Sequence, residues 1–239
     1  MPYLQNPVYQ GLTTANAPFA LAHGVALRYQ PGVIPFAAVP EPTAQALTDL
    51  LPLLTPGEEI FLTTGPGQAL DLPTGLTLDL TIPGLQMRFT AATPAADPDP
   101  RILTLTSADT ADMLALKALA FPGYFGPRAP ELGLFVGIRD PATNQLIAMA
   151  GERVSTFTDR ELSAVCTHPA HLGHGHAARL MRAVLRHQHA LGANSLLHVV
   201  ASNTRAISLY HHLGFETTGA ISFHKLTRPA NPQSLFPNP

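Results

Sequence analysis

The sequence has little charge, a single cysteine and almost no lysine. Charged residues make up 13 % of the 239 positions and hydrophobic ones 46 %. That balance excludes a charge-swollen disordered chain and leaves ample apolar surface to bury. A lone cysteine, Cys166, has no internal partner, which excludes a disulfide-stapled secreted scaffold. No apolar run reaches the roughly 18 residues of a membrane span. A basic segment followed by an apolar one is missing at the N-terminus, so no signal peptide is expected and the cytoplasm is the expected compartment. A net charge of −2 gives no case for nucleic acid. Two lysines stand against twelve arginines, which we read, with the abundant alanine and proline, as compositional bias of the genome.

What is present is unevenly spread. Residues 1–100 hold two basic residues (Arg28, Arg88) against eight acidic ones, a formal −6; residues 101–239 hold twelve against eight, a formal +4. Ten of the eleven histidines lie between His168 and His224, and fifteen of the twenty-four prolines fall in the first hundred residues. Residues 91–100 are proline-broken and lack apolar periodicity, so they read as a linker. The expected organisation is a small α/β N-terminal domain over 1–97, a second α/β domain over 101–228, and a tail over 229–239.

In the first segment, Asn16 and Pro18 open an expected helix with Phe19, Ala22, Ala26 and Tyr29 at helical spacing, ending near Pro31 and Gly32. A strand over 33–39, a helix over 43–51 and strands over 59–64, 76–82 and 85–90 follow. No chemical motif appears there. In the second, strands are expected over 102–106, 132–138, 146–154, 161–167 and 196–200. A helix capped by Ser107 or Asp109 carries Met113, Leu114, Leu116 and Leu119. The loop over 121–130, with Phe121, Tyr124, Phe125 and Arg128, reads equally well as a cover for a binding site or as apolar packing. Short strands near 217–219 and 222–226 close the domain.

The chemistry concentrates in residues 165–180. A strand runs into Gly173 and Gly175, and an amphipathic helix follows, with Leu180, Met181, Val184 and Leu185 on one face and Arg179, Arg182 and Arg186 on another. Unpaired N–H groups and the helix dipole at such a terminus suit an anion, and glycine lets a phosphate approach the backbone. The turn is neither a Walker loop nor the dinucleotide fingerprint. A second element begins at Asn203, whose helix ends at Gly214. Asn203 and Tyr210 are seven residues apart, about 20° around a helix, so they share one face.

Together these elements resemble the GNAT superfamily of N-acetyltransferases, over about 101–228. Leu172-Gly173-His174-Gly175-His176-Ala177 matches the family's acyl-CoA loop, Val165 to Pro169 the strand end before it, and the run Asn203, Ala206, Ile207, Tyr210, Leu213, Gly214 and Phe215 its last helix. Residues 148–153 and 161–169 look like a bacterial group whose N-terminal part is an extra, partly GNAT-like domain. Leu172 departs from the pattern, which has Arg or Gln there; Arg179 could supply the missing charge. The resemblance implies a mixed sheet flanked by helices, with acetyl-CoA as cosubstrate between parallel strands 161–167 and 196–200. Backbone groups of Val165, Cys166 and Thr167 would pair with the pantetheine, and an N–H near Val165 or Cys166 would hold the thioester oxygen. Leu172, Gly173, His174, Gly175, His176 and Ala177 would cradle the pyrophosphate. Asn203 would bond the pantetheine arm, Ile207 would lie with it, and Tyr210 would protonate the departing thiolate.

Attack needs a neutral amine, and a carboxylate can take its proton directly or through water. Glu161 and Glu152 are the candidates; strict alternation puts Glu161, Ser163 and Val165 on one side of the strand and Leu162, Ala164 and Cys166 on the other. Pairing with Arg153 or another cation is the competing reading for Glu152. The expected partner is a small-molecule or peptide amine, with no nucleic acid and no membrane, in a monomer or a homodimer. His168, His171, His174 and His176 suggest a metal, but their spacing fits no standard zinc pattern, so no metal is expected. Cys166 as a nucleophile lacks a Cys-His-Asn setting. The alternatives are a non-catalytic acyl-CoA-binding regulatory module and, more remotely, a metal-dependent hydrolase. If the acidic half borders the acceptor cleft, its charge would favour a cationic amine.

Overall fold

The computed structural model describes residues 4–95, 99–122 and 125–230. Tyr124 and the last nine residues of the expected tail lie outside that set. Helix α1 (Pro7–Thr13) starts at Asn6, whose Oδ1 accepts the Tyr9 N–H (3.3 Å), with Pro7 in the first turn. Seven residues are too few for apolar periodicity to reveal it. The helix expected after Asn16 is absent. One 3-10 turn (Ala17–Phe19) leads into the hairpin of β1 (Ala20–His23) and β2 (Ala26–Tyr29). Gly24 turns the chain at φ 55°, and Asp49 accepts the Val25 N–H (2.9 Å). Helical spacing of four apolar residues loses here to turn chemistry and to burial of Tyr29.

The first half continues through β3 (Phe36–Ala38), α2 (Ala44–Thr48), β4 (Glu59–Thr64) and β5 (Thr77–Phe89). The second supplies β6 (Ile102–Leu105), α3 (Thr110–Ala120), β7 (Phe135–Arg139), β8 (Leu146–Ser155), β9 (Asp159–Thr167), α4 (His176–Ala190), β10 (Asn194–Val200), α5 (Thr204–Leu213) and β11 (Phe215–Thr227). Thr106 and Asp109 form a capping box across the 3-10 turn Ser107–Asp109, and Asp109 holds the N-cap position of α3 as expected, without a side-chain capping bond there. β5 and β11 each replace two expected strands. Pro83 is tolerated where the β10 ladder ends: β10 pairs as far as Gly84, and the Pro83 carbonyl accepts the Ala201 N–H (2.9 Å), so no Pro83 donor is needed. In β11 a bulge between Thr217 and Gly219 absorbs the break.

All eleven strands form one mixed sheet, ordered β1-β2-β3-β4-β11-β5-β10-β9-β8-β7-β6. The expected division at 91–100 therefore separates segments of chain but not sheets: β5, from the first segment, is hydrogen-bonded between β11 and β10 of the second. The sheet also curls. α1 packs on β2 and β3 and again on β8. Asn16 Oδ1 accepts from both Tyr29 Oη (2.9 Å) and the Ser155 N–H (2.7 Å), joining β2 to the end of β8. α4 and α5 cover one face, over a core of Met87, Leu162, Leu180, Met181, Val184 and Leu185 among others. Each such side chain contributes about 1.5–3 kcal/mol on burial. The other face curls round a second core that includes Tyr29, Phe36, Phe61 and Leu132.

Candidate active site

β9 and β10 run parallel, but their pairing covers only Asp159 to Glu161 against Asn194 to Leu196. Beyond that they part. On its other side β9 carries a bulge: Ser163 pairs with Gly151 and Cys166 with Met149, so three steps on one strand match two on the other. Ala164 takes the strain at φ 53°. The extra residue reverses the expected alternation. Val165 packs with Leu162 on the α4 face, while Ala164 and Cys166 pack with α3.

Past the bulge, the end of β9 and α5 border a cavity of about 470 Å³. Its lining includes Val165, Cys166, Thr167, Leu172, Gly173, His174, Gly175, His176 and Ala177 from β9 and the following turn, with Asn203 and Tyr210 from α5. These are the expected cofactor-binding residues except Ile207, which packs against the α4/α5 core and lines neither this cavity nor its neighbour. Gly173 (φ 83°) and Gly175 (φ 73°) turn the chain in the left-handed region, with nothing within 4 Å of where a Cβ would stand. α4 begins at Gly175 with no side chain capping it. His176, in its first turn, has a buried Nδ1 without a partner, and burial and nearby Arg101 lower its pKa. An uncapped terminus of a 15-residue helix beside an open glycine turn fits an anionic group such as a pyrophosphate. Arg179 does not replace Leu172: it donates to the His174 carbonyl (2.9 Å) and faces Asp99, whereas Arg205 lines the cavity. Gly175→Ala should lower stability by about 1–2 kcal/mol through backbone strain alone, since its methyl meets open space; a denaturant melt measures this.

A second cavity, of about 170 Å³, meets the first at Phe121, Val165, Asn203 and Tyr210, which line both. The first segment builds one wall of it with Ile34, Phe36, Phe61 and Ile82. The acidic half thus does border the cleft, but with apolar side chains: among the described residues, no Asp or Glu of residues 1–100 lines it. Phe121 and Phe125 of the 121–130 loop also line it. Tyr210 is largely buried, which pushes its phenol up to about 12, and its hydroxyl bonds to no described residue. Asn203 spends Oδ1 on capping α5 through the Ala206 N–H (3.1 Å), leaving its amide N–H groups for a ligand. Burial pushes the Cys166 thiol up to about 11, the wrong direction for a nucleophile.

Both expected bases are engaged by neighbouring groups. Glu152 lines the cleft and Glu161 does not. One carboxylate oxygen accepts from Arg153 (2.5 Å) and His198 (2.8 Å), the other from Arg153 (3.0 Å) and the Val154 N–H (3.3 Å). Burial alone would raise its pKa, but Arg153 and His198 outweigh it and hold the carboxyl far below the usual range. Glu152 is 1 % exposed and points toward α4, where it accepts from the Leu134 N–H (2.8 Å), Arg160 (3.1 Å) and Gln188 (3.0 Å). Arg153 therefore pairs with Glu161, and the cation that Glu152 finds is Arg160. His198 completes the network: Nδ1–H donates to Glu161, and Nε2 accepts from the Gln86 amide (3.0 Å). Pattern reading passes over His198 and Lys117. Both left a signal, one polar residue in an apolar strand and one lysine four positions after the buried Met113. Among the described residues, no three His, Cys, Asp or Glu side chains converge as metal ligands would.

Parted parallel strands, a bulge at the parting and an anion-fitted helix terminus are the features that the resemblance to the GNAT acetyltransferases implies. A family described as FR47-like protein matches residues 135–223. A solved structure from Novosphingobium aromaticivorans DSM 12444, assigned to the GNAT acetyltransferases, is 34 % identical, with TM-score 0.85, over 94 % of this chain and 97 % of that one. The chain belongs to the GNAT family, which implies an acyl-CoA donor. A GCN5-related N-acetyltransferase from Kribbella flavida shares the fold at 16 % identity and TM-score 0.59, over 92 % of each chain. One from Sphaerobacter thermophilus does so at 15 % and 0.52, over 87 % and 78 %. No curated protein matches. No helix among the described residues is long and apolar enough to cross a membrane.

Proposed function

We propose that the protein moves an acetyl group from acetyl-CoA to a primary amine by direct attack in a ternary complex. The observation that carries this reading is the meeting of the two cavities at Val165, Asn203 and Tyr210. In it, the uncapped α4 terminus and the glycine turn hold the pyrophosphate, the free edge of β9 aligns the pantetheine, and the thioester lies where the cavities join. The acceptor enters from the apolar side. Its nitrogen forms a bond to the carbonyl carbon, and a backbone N–H after the Ala164 bulge holds the developing oxyanion. The C–S bond then breaks, and Tyr210 gives its proton to the sulfur.

Burial pushes the Tyr210 phenol up to about 12, so it stays protonated and can donate as the thiolate leaves. The amine proton has no carboxylate to receive it, because Glu152 and Glu161 are fully engaged. We assign its removal to water. The apolar wall of Ile34, Phe36, Phe61 and Ile82, with the cations Lys117 and Arg153 in the same lining, favours an acceptor with a compact apolar body over a polycation.

Calorimetric titration with acetyl-CoA should give a saturable heat and a raised melting temperature, as a ligand that binds only the folded state requires. Thiol release against a panel of compact apolar amines should then exceed release without amine. No heat and no thermal shift would sink the reading. Binding without amine-dependent release would leave an acyl-CoA-binding module.

A further inference from the structure

We propose that Lys117 is itself an acyl acceptor: when no external amine occupies the cleft, its ε-amine takes the acetyl group from bound acetyl-CoA. The inference rests on the reading of the first cavity as the acetyl-CoA site.

The chain has two lysines. Lys225 sits on β11, salt-bridged to Glu59 at 2.7 Å. Lys117, on the last turn of α3, is 8 % exposed and lines the apolar cleft. No carboxylate among the described residues pairs with it. Nζ donates to the Phe121 carbonyl (2.6 Å) and stands 4.1 Å from the centroid of the Phe121 ring. Phe121 borders both cavities. The charged and titratable groups that face the amine are Arg153 on β8 and the Cys166 thiol on β9, and Cys166 lines the acetyl-CoA cavity. The amine is therefore held between the cleft where an acceptor belongs and the strand along which a thioester would lie.

Its protonation state suits attack. Burial, opposed by Cys166 and aided by Arg153, lowers the Lys117 pKa to about 8. A large fraction therefore carries a free lone pair at mildly alkaline pH. Arginine, which supplies twelve of the fourteen basic residues of this chain, would stay protonated there. In the step itself, neutral Nζ bonds to the thioester carbonyl carbon and the C–S bond breaks. The sulfur takes a proton from Tyr210, and the proton lost by nitrogen passes to water, which returns one to the Tyr210 oxygen. The products are the free coenzyme thiol and Nε-acetyl-lysine. No oxidant or further reactant is needed. The amide is uncharged and fills the space an external amine would use, so a labelled molecule is a blocked one.

The test is incubation of the full chain with acetyl-CoA and no amine, at pH 7 and pH 9. Intact mass and peptide mass spectrometry provide the readout, with calorimetry run alongside. The expected result is one gain of about 42 Da, the mass of a single acetylation, located at Lys117. Its rate should rise about tenfold from pH 7 to pH 9, as the neutral fraction of a group of pKa about 8 does. Lys225→Arg should label normally and Lys117→Arg should not. Bound acetyl-CoA without label at Lys117 overturns the proposal and leaves the coenzyme reading standing. Equal labelling of Lys117 and Lys225, or the same rate in urea-unfolded chain, overturns it as plain chemical acetylation. Absence of acetyl-CoA binding removes both.

Discussion

Tyr210→Phe should slow amine-dependent thiol release by about 10²–10⁴-fold, the range for losing a general acid, with acetyl-CoA affinity unchanged. The hydroxyl is the only part of Tyr210 removed. Its ring stays against Phe215, with centroids 6.1 Å apart, so the fold and the cavity junction should survive. The hydroxyl bonds to no described residue, so its loss strands no protein partner. Because burial holds the phenol near 12, it is protonated throughout the working range, and the wild-type rate should show no alkaline fall from Tyr210 below about pH 11. Single-turnover kinetics measure the chemical step, and calorimetry measures affinity. An unchanged rate would remove the proton from Tyr210 and leave it as a wall of the cavity.

Glu161→Gln should cost about 3–5 kcal/mol of stability, as removing one partner of a buried ion pair does. The change leaves the Arg153 guanidinium uncompensated beside the Phe36 ring, 4.8 Å away, and weakens the anchor for His198 Nδ1–H. The pH dependence has a definite sign. Because the folded state depresses the Glu161 pKa, wild-type Glu161 contributes stability above the usual carboxylate range. That contribution is lost as pH falls toward the depressed value. The variant should show a flatter acid limb as well as a lower plateau. Urea melts across pH 3 to 7 provide both readouts. A variant as stable as wild type but without activity would restore Glu161 to the role of base.

The site was legible where chemistry is local in sequence. The glycine turn at 173–175, the helix after it, and Asn203 and Tyr210 one face apart on α5 all follow from spacing, because a helix start, a cap and a seven-residue repeat are short-range geometry. So do most strands of the second half. The bases were illegible for a different reason. Alternation counts residues, and the bulge at Ala164 adds one, which alters which side chains of β9 share a face. Whether a carboxylate is free depends on what lies opposite it. Glu161 meets Arg153 and His198, and Glu152 meets Gln188 and the Leu134 amide, through contacts that strand pairing and helix packing create.

The same distinction applies to the charge and histidine imbalance. By itself the sequence determined that the glycine turn and the helix terminus suited to an anion lie in its basic half, because a turn at glycine and the start of a helix are local properties. It did not determine that the two halves are one sheet. Strand β5 crosses to lie between β10 and β11, and its ladder hydrogen bonds are satisfied only there. That insertion brings Ile34, Phe36, Phe61 and Ile82 to the acceptor side. Tertiary structure alone decided that the acidic half meets the cleft with apolar side chains, since a residue's net charge count says nothing about which face of a curled sheet it occupies.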